Sequence, residues 1–484
     1  MSRAKRTGGV CVMLFYEPFF ALILFPTFYA LYLLISAHTA AKKWTLLIGS
    51  VAFYTWGEPL FVPIVLASSL LDFLLTRKLE TTTGQSARHA LLTVGIIANL
   101  GILTVYKYAD FLISNVNYAS NALGGPSLPL LHLALPIGVS FVVFEKISYL
   151  VDCYRGHAKS ARWFSEYCLF VFLFPKLLAG PILKYHEMQG QIADPAPVHP
   201  ADVGEGFLRF SRGIAKKVLI ADPVGSFSDA VFASDATLLA MPSAWLGLVC
   251  FALQIYFDFS GYSDMAIGLA RMLGFRLKEN FDKPYVSRSL TEFWRRWHIS
   301  LTSWIREYLY VPLGGSRGRA VLTYFNLWIC FLASGIWHGA SWNFVLWGAY
   351  NGLVLTLERI FLARWLERAG AVVSIATTLV VVNLGWAIFR TTSIGQLGGF
   401  LAALFVAHPG AKSIELPPDL PLTAAVAVFL CLFPATPLYQ PLKRAYETSA
   451  MLQALAAFAL TGLWLIACSR SLAIPFKPFL YFRF

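Results

Sequence analysis

Charge is scarce in this sequence. Only 13% of its 484 residues are Asp, Glu, Lys or Arg, against about 25% in soluble domains. So few charges cannot coat a soluble globule of this size, although they suffice for the two narrow water-facing ends of a helical bundle. Pattern is missing among the cysteines too. Cys11, Cys153, Cys168, Cys250, Cys330, Cys431 and Cys468 are odd in number, form no C-x-x-C and lie mostly in apolar runs. They read as small core hydrophobes, not as a disulfide framework or a metal site. The histidines show no His-x₃-His spacing, so metal ligation gains no support. No GxSxG, Walker loop or dinucleotide fingerprint stands in a suitable context. There is no internal repeat and no low-complexity segment. The apolar runs do not alternate, which excludes a barrel.

What the chain does have is apolar length. Hydrophobic residues make up 57%, and the mean hydropathy is +0.62. A spanning helix needs roughly 20 mostly apolar residues. Stretches at 14–36, 44–75, 89–106, 127–151, 166–183, 243–269, 321–355, 372–389, 395–407, 421–434 and 451–468 meet or approach that. They predict an all-α integral membrane protein with about 11 spans. The longest run, 321–355, has room for two helices or one broken one. The net charge of +13 collects in short loops, at Arg77-Lys78, Arg155 with Lys159 and Arg162, Lys216-Lys217, Arg317 with Arg319, and Lys443-Arg444. Cytoplasmic loops gather Lys and Arg in this way, so topology explains the charge and nucleic acid is not a partner.

The basic start MSRAKRTGG precedes an apolar run without a small-residue cleavage site, which predicts an uncleaved first helix, with Met13 as an alternative start. No linker divides the chain, so residues 1–484 read as one domain, with 271–319 a hydrophilic, aromatic, amphipathic segment inside it. Gly and Pro interrupt LALPIGVSF (133–141), LFPKLLAGPIL (173–183) and ASGIWHGASW (333–342). Broken or re-entrant helices are expected there. Non-helical backbone at membrane depth survives only against protein or water, so these segments are candidates to line a cavity.

Nine histidines are present. His38, His89, His157, His186, His199 and His408 lie in polar or boundary segments, and His132 is interfacial. His338 differs, because it sits inside a long apolar run, where an ionisable side chain is costly and points to function. Ser334, Gly335 and Gly339 stand beside it. Small neighbours permit close helix packing, and they equally leave room for a substrate chain. His298 lies in EFWRRWHISLTSWIREYLY, among Trp294, Trp297, Trp304, Arg295, Arg296 and Arg306. A continuous helix there would put Trp294 and Thr302 on its face. The competing reading is an interfacial helix with Trp at headgroup depth and Arg snorkelling outward. Asp258 and Asp264 end an apolar run. They are suited to pairing with arginine, binding a cation or orienting a histidine.

The stretch QIYFDFSGYSDMAIGLARMLGFRLKENFDKPYVSRSLTEFWRRWHISLTSWIREYLYVPLGG, followed by SGIWHGASWNFVLWGAYNG, resembles the membrane-bound O-acyltransferase family. It is most similar to the bacterial branch that acetylates alginate and other exopolysaccharides. LPIGVSFVVFEKISYLVDCYRG, FPKLLAGPILKY and the WAIFR ending at Arg390 support it. The resemblance covers most of the chain. It implies a helical bundle, with re-entrant and interfacial helices, around a central tunnel in which donor and acceptor approach from opposite faces. It makes His338 the catalytic histidine and His298 the second functional one. One departure stands out: Lys176 occupies a position where related sequences often carry His, and a Lys is a point charge with a higher pKa.

The chemistry implied is transfer of an acetyl group from a cytoplasmic thioester, acetyl-CoA or another, with no tightly bound cofactor and no metal. A neutral imidazole suits proton removal near pH 7, which casts His338 as general base. His298, Trp337 or Asn343 is the expected oxyanion donor, and Arg295 and Arg296 are suited to an anionic donor. The acceptor is an extracytoplasmic polysaccharide such as alginate, reached directly or through a periplasmic hydrolase-like partner at the bacterial inner membrane. Peptidoglycan, cellulose and teichoic acid D-alanylation are the alternatives within the family. A proton-coupled transporter is the alternative outside it.

Overall fold

The computed structural model describes residues 13–35, 38–407, 410–473 and 477–480. Cys11, the basic start and His408 lie outside them. Among the described residues the chain is helical, with one isolated β-bridge between Leu239 and Lys412. Helices follow from the continuous apolar runs, since a helix satisfies its own backbone groups where no water can.

The contacts divide the chain into two units. The first holds residues 1–206 and 266–277, the second 207–265 and 278–484. In the first, α1 (Thr39–Gly57), α2 (Val62–Thr81), α3 (Gln85–Leu103), α4 (Val139–Arg155), α5 (Phe164–Phe172) and α6 (Phe174–Leu177) matter here. α4 carries Glu145, Lys146 and Asp152 and is nonetheless buried on nearly every face. Its charges are matched across helices. Lys146 pairs with Asp72 of α2 at 3.3 Å and donates to Ser68 at 2.6 Å. Asp72 also accepts from Asn99 of α3 at 2.9 Å and from the Tyr167 hydroxyl of α5 at 3.1 Å. Gly138 and Gly156 bracket α4 in left-handed backbone, at φ 78° and 74°, a region that Cβ-bearing residues avoid.

α7 (Pro200–Ala215) and α8 (Met241–Met272) belong partly to each unit. The second unit adds α9 (Leu290–Arg296), α10 (Ile299–Ile305), α11 (Ala320–His338), α12 (Trp342–Leu357) and α13 (Ala363–Arg390). The three interrupted segments do break. Helix begins only at Val139 in the first, stops at Phe172 and again at Leu177 in the second, and ends at His338 in the third. The long run 321–355 is two helices, α11 and α12.

Five helices among the described residues are long and apolar enough to cross a bilayer, or six if the bent pair Leu420–Ala435 and Tyr439–Thr448 is one span. The expected count of about 11 does not emerge from that measure. Two causes are visible. Several apolar helices are short, such as Phe20–Ile35 and Ile394–Phe405. Other segments merge: Trp342–Arg390 runs 49 residues, far beyond the ~30 Å hydrocarbon thickness at 1.5 Å per residue, and is broken at Gly370, whose φ is 81°.

Candidate active site

His338 is the last residue of α11. Its ring meets Trp337 at 5.0 Å, Trp347 of α12 at 5.1 Å and Phe389 of α13 at 5.3 Å. Three helices of the second unit therefore supply its walls, and the side chain is buried. The small neighbours serve packing. A Cβ on Gly335 would lie 2.2 Å from the Phe344 carbonyl oxygen of α12, and one on Gly339 would lie 2.1 Å from the Phe344 ring. The face beside His338 is thus filled by α12, and the option of a substrate chain lying against Gly335 is not realised.

His298 is also buried, at 1% exposure. The continuous helix expected through it does not exist. Trp297 is extended and His298 takes left-handed backbone, at φ 46° and ψ 53°, between α9 and α10. This break removes Trp294 from a shared helical face with His298, whereas the Thr302 amide still donates to the His298 carbonyl at 3.1 Å. Nor is the segment an interfacial strip: Phe293, Trp297 and Trp304 are buried, and Trp297 packs on Phe293, Phe281 and Trp386. α9 starts where Ser289 accepts from the Glu292 amide at 3.1 Å while Glu292 accepts from the Arg288 amide at 2.8 Å. This is a capping arrangement written in the sequence as S-x-x-E.

The loop before α9 grips the break. Asn280 accepts at its main-chain oxygen from the Ile299 amide, 2.9 Å. Its side-chain oxygen accepts from the Ser300 amide at 3.2 Å and the Ser300 hydroxyl at 2.9 Å, and lies 3.2 Å from His298 Nδ1. Its amide nitrogen donates to Ser263 of α8 at 3.2 Å. Phe259 of α8 closes the pocket edge-on to His298 at 4.7 Å. Burial pulls the His298 pKa down to about 3, so the imidazole is neutral at pH 7. Sequence reading passed over Asn280. Its only local signal is a polar residue in the KENFDKPY loop.

The two histidines, 40 positions apart in sequence, converge on one indole. Trp337 lies 6.2 Å from the His298 ring and 5.0 Å from that of His338.

The other expected residues are placed as follows. Asp264 accepts from Arg209 at 2.7 Å, Arg212 at 3.1 Å and Lys216 at 2.8 Å. Asp258 pairs with Lys217 at 2.8 Å and accepts from the Leu480 amide at 2.7 Å. Asp264 thus takes the first of the three options, pairing with arginines, while Asp258 pairs with a lysine instead. Asn343 gives its amide nitrogen to the Thr391 carbonyl and hydroxyl, at 2.8 and 2.9 Å, and ties α12 to the end of α13. Trp294 donates to Asn351 at 3.2 Å and stands edge-on to Trp347. Arg296 is held by Glu292 at 2.8 Å and Asp282 at 3.7 Å, whereas Arg295 is exposed. Lys176 pairs with Glu145 in the first unit and lies over the Phe170 ring at 4.9 Å.

Residues 139–392 match the family described as MBOAT, membrane-bound O-acyltransferase. The chain is 40% identical over 397 residues to "Probable alginate O-acetylase AlgI" of Pseudomonas syringae pv. tomato, covering 81% of this chain and 75% of that protein. It is 33% identical over 418 residues to "Peptidoglycan O-acetyltransferase" of Helicobacter pylori, covering 80% and 78%. To "Teichoic acid D-alanyltransferase" of Bacillus subtilis it is 24% identical over 283 residues, covering 54% and 71%.

Proposed function

On the premise that this chain belongs to the membrane-bound O-acyltransferase family, we propose that it acetylates an extracytoplasmic polysaccharide of the alginate class, with His338 as general base. The chain is a multi-pass membrane acyltransferase. That membership accounts for its buried charges without transport and sets aside the transporter reading. The polysaccharide follows the higher identity, 40% to the alginate O-acetylase against 33% to the peptidoglycan enzyme.

The observation that carries the site is the shared indole. Trp337 touches both His298 and His338 in a buried aromatic pocket. Imidazole Nε2 or Nδ1 of His338 takes the proton of an acceptor hydroxyl. The freed oxygen attacks the thioester carbonyl carbon, a C–O bond forms, and the carbonyl electron pair moves onto oxygen. Collapse of this tetrahedral oxyanion breaks the C–S bond, and the leaving thiolate takes the proton from the His338 imidazolium. Acetyl-CoA or another acyl thioester on the cytoplasmic side is the donor, so no resident cofactor is needed. Among the expected oxyanion donors, Asn343 is committed to Thr391, which directs attention to the Trp337 N–H, a group that only donates. The dry aromatic surround strengthens such a donor and suppresses hydrolysis. Delivery through a periplasmic partner is compatible with the same chemistry, and co-purification tests it.

The deciding experiment is His338→Ala and His298→Ala, scored by ester-linked acetate on the cells' polysaccharide at matched membrane expression. Both variants lose acetylation. Wild-type acetate with His338→Ala overturns the assignment.

A further inference from the structure

We infer that Asn280 is a positioning residue that holds His298 as the Nδ1–H tautomer, leaving the lone pair on Nε2. The inference rests on the reading above, in which His298 serves the reaction.

The argument starts from a donor of fixed identity. The Ser300 main-chain N–H can only donate, and it points at the Asn280 side-chain oxygen, 3.2 Å away. The amide is therefore oriented with its oxygen toward the turn and its nitrogen toward Ser263. A flipped amide would oppose two N–H groups at Ser300. An amide oxygen has no proton to give, so the contact to His298 Nδ1 at 3.2 Å needs the proton on the histidine. A neutral imidazole carries one N–H, and Nε2 is then the acceptor. Burial supports the neutral form, as the low His298 pKa indicates.

The backbone secures the same geometry. Asn280 takes the Ile299 amide with its main-chain oxygen, so it spans the strained residue from Nδ1 to the amide that follows. Left-handed backbone at a residue with a Cβ persists only where surrounding contacts over-determine it. Asn280 supplies those contacts, and its own nitrogen is anchored on α8, a long buried helix.

The consequence is a division of labour. With Nε2 an acceptor, His298 can hold a hydroxyl by its hydrogen. It cannot stabilise an oxyanion through that nitrogen, so a donor must come from elsewhere in the pocket.

Three variants and one spectrum test this. Asn280→Asp keeps an acceptor at Nδ1, Asn280→Ala removes it, and His298→Ala is the benchmark. Polysaccharide acetate is measured in cells at matched membrane expression. Asn280→Ala is expected to fall on the order of 100-fold, towards His298→Ala, because a misassigned tautomer disables a catalytic imidazole. Asn280→Asp is expected to retain at least about ten times more than Asn280→Ala, because the acceptor facing Nδ1 is kept; the spectrum separates this from a purely structural role. Independently, ¹⁵N-histidine spectra of the detergent-purified wild-type protein, with His298 identified by its absence from His298→Ala, should show Nδ1 protonated and Nε2 bare. A wild-type spectrum with Nε2 protonated overturns the inference, even if every Asn280 variant fails to fold. Full acetylation by Asn280→Ala beside an inactive His298→Ala also overturns it, and leaves the reading of the site intact. Full acetylation by His298→Ala instead defeats that reading.

Discussion

Replacing Gly335 by Ala adds one methyl group one turn before His338, and the outcome can be worked from the geometry. The new Cβ would sit 2.2 Å from the Phe344 carbonyl oxygen and 3.2 Å from the Gly348 backbone. Comfortable carbon–oxygen contact is about 3.3–3.6 Å. α11 and α12 must therefore part by about 1 Å, and no side chain can yield, because the obstacle is backbone. Alanine gains about 1 kcal/mol of helix propensity over glycine. Overpacking of a tight interface costs about 1–3 kcal/mol, so the clash wins. The larger effect is on chemistry, since His338 ends α11 while Trp347 of its pocket rides on α12. A displacement of that size at a catalytic group costs about 100-fold in rate. The expected result is a lower melting temperature in detergent and roughly 100-fold less polysaccharide acetate at matched expression. Gly462→Ala is the control, because nothing lies within 4 Å of its Cβ position. Wild-type acetylation by Gly335→Ala at an unshifted melting temperature would refute the packing argument.

Two further predictions concern buried charge. Lys176→Met strands Glu145 at 2% exposure and should cost about 3–5 kcal/mol, whereas the double variant Glu145→Gln/Lys176→Met, with no stranded charge, should regain most of it; additive losses in a thermal-melt cycle would show that the two do not act as a pair. Asp264→Asn leaves Arg212 and Lys216 without their carboxylate and repelling each other, while Arg209 keeps Glu279. Because these cations are partly exposed, the loss should sit at the lower end, about 3 kcal/mol, and shrink as salt is raised; a salt-independent melt equal to wild type would show that the cluster is not electrostatically coupled.

Much of the fold was legible because apolar length and helix share one cause: in hydrocarbon, the chain must satisfy its backbone locally. The break points at Gly138, Leu173 and Gly339 were legible for the same reason, since Gly and Pro interrupt apolar runs there. The number of spans was less so. The apolar stretches 321–355 and 372–389 are already separate in the sequence, but helix runs through the gap between them and departs from helical geometry only at Gly370. Nor does low hydropathy exclude a buried helix. α4 holds Glu145, Lys146 and Asp152 inside because Lys176, Asp72 and His186, distant in sequence, meet them.

The two histidines show where local reading stops. His338 stood out unaided, because an ionisable group in an apolar run is costly wherever the helix lies. His298 stood out only through family resemblance, because its surroundings look like an interfacial helix. What buries it is a break that no helical periodicity can express, a left-handed residue between two seven-residue helices. The partner that sustains the break, Asn280, lies 18 positions upstream in a loop. Its influence passes through hydrogen bonds to Nδ1, Ile299 and Ser300, and hydrogen-bond pairing across a loop leaves no period in the sequence. The surroundings of the histidines are likewise set by distant neighbours rather than by residue type: aromatic walls from three helices surround His338, while an amide oxygen lies 3.2 Å from His298 Nδ1.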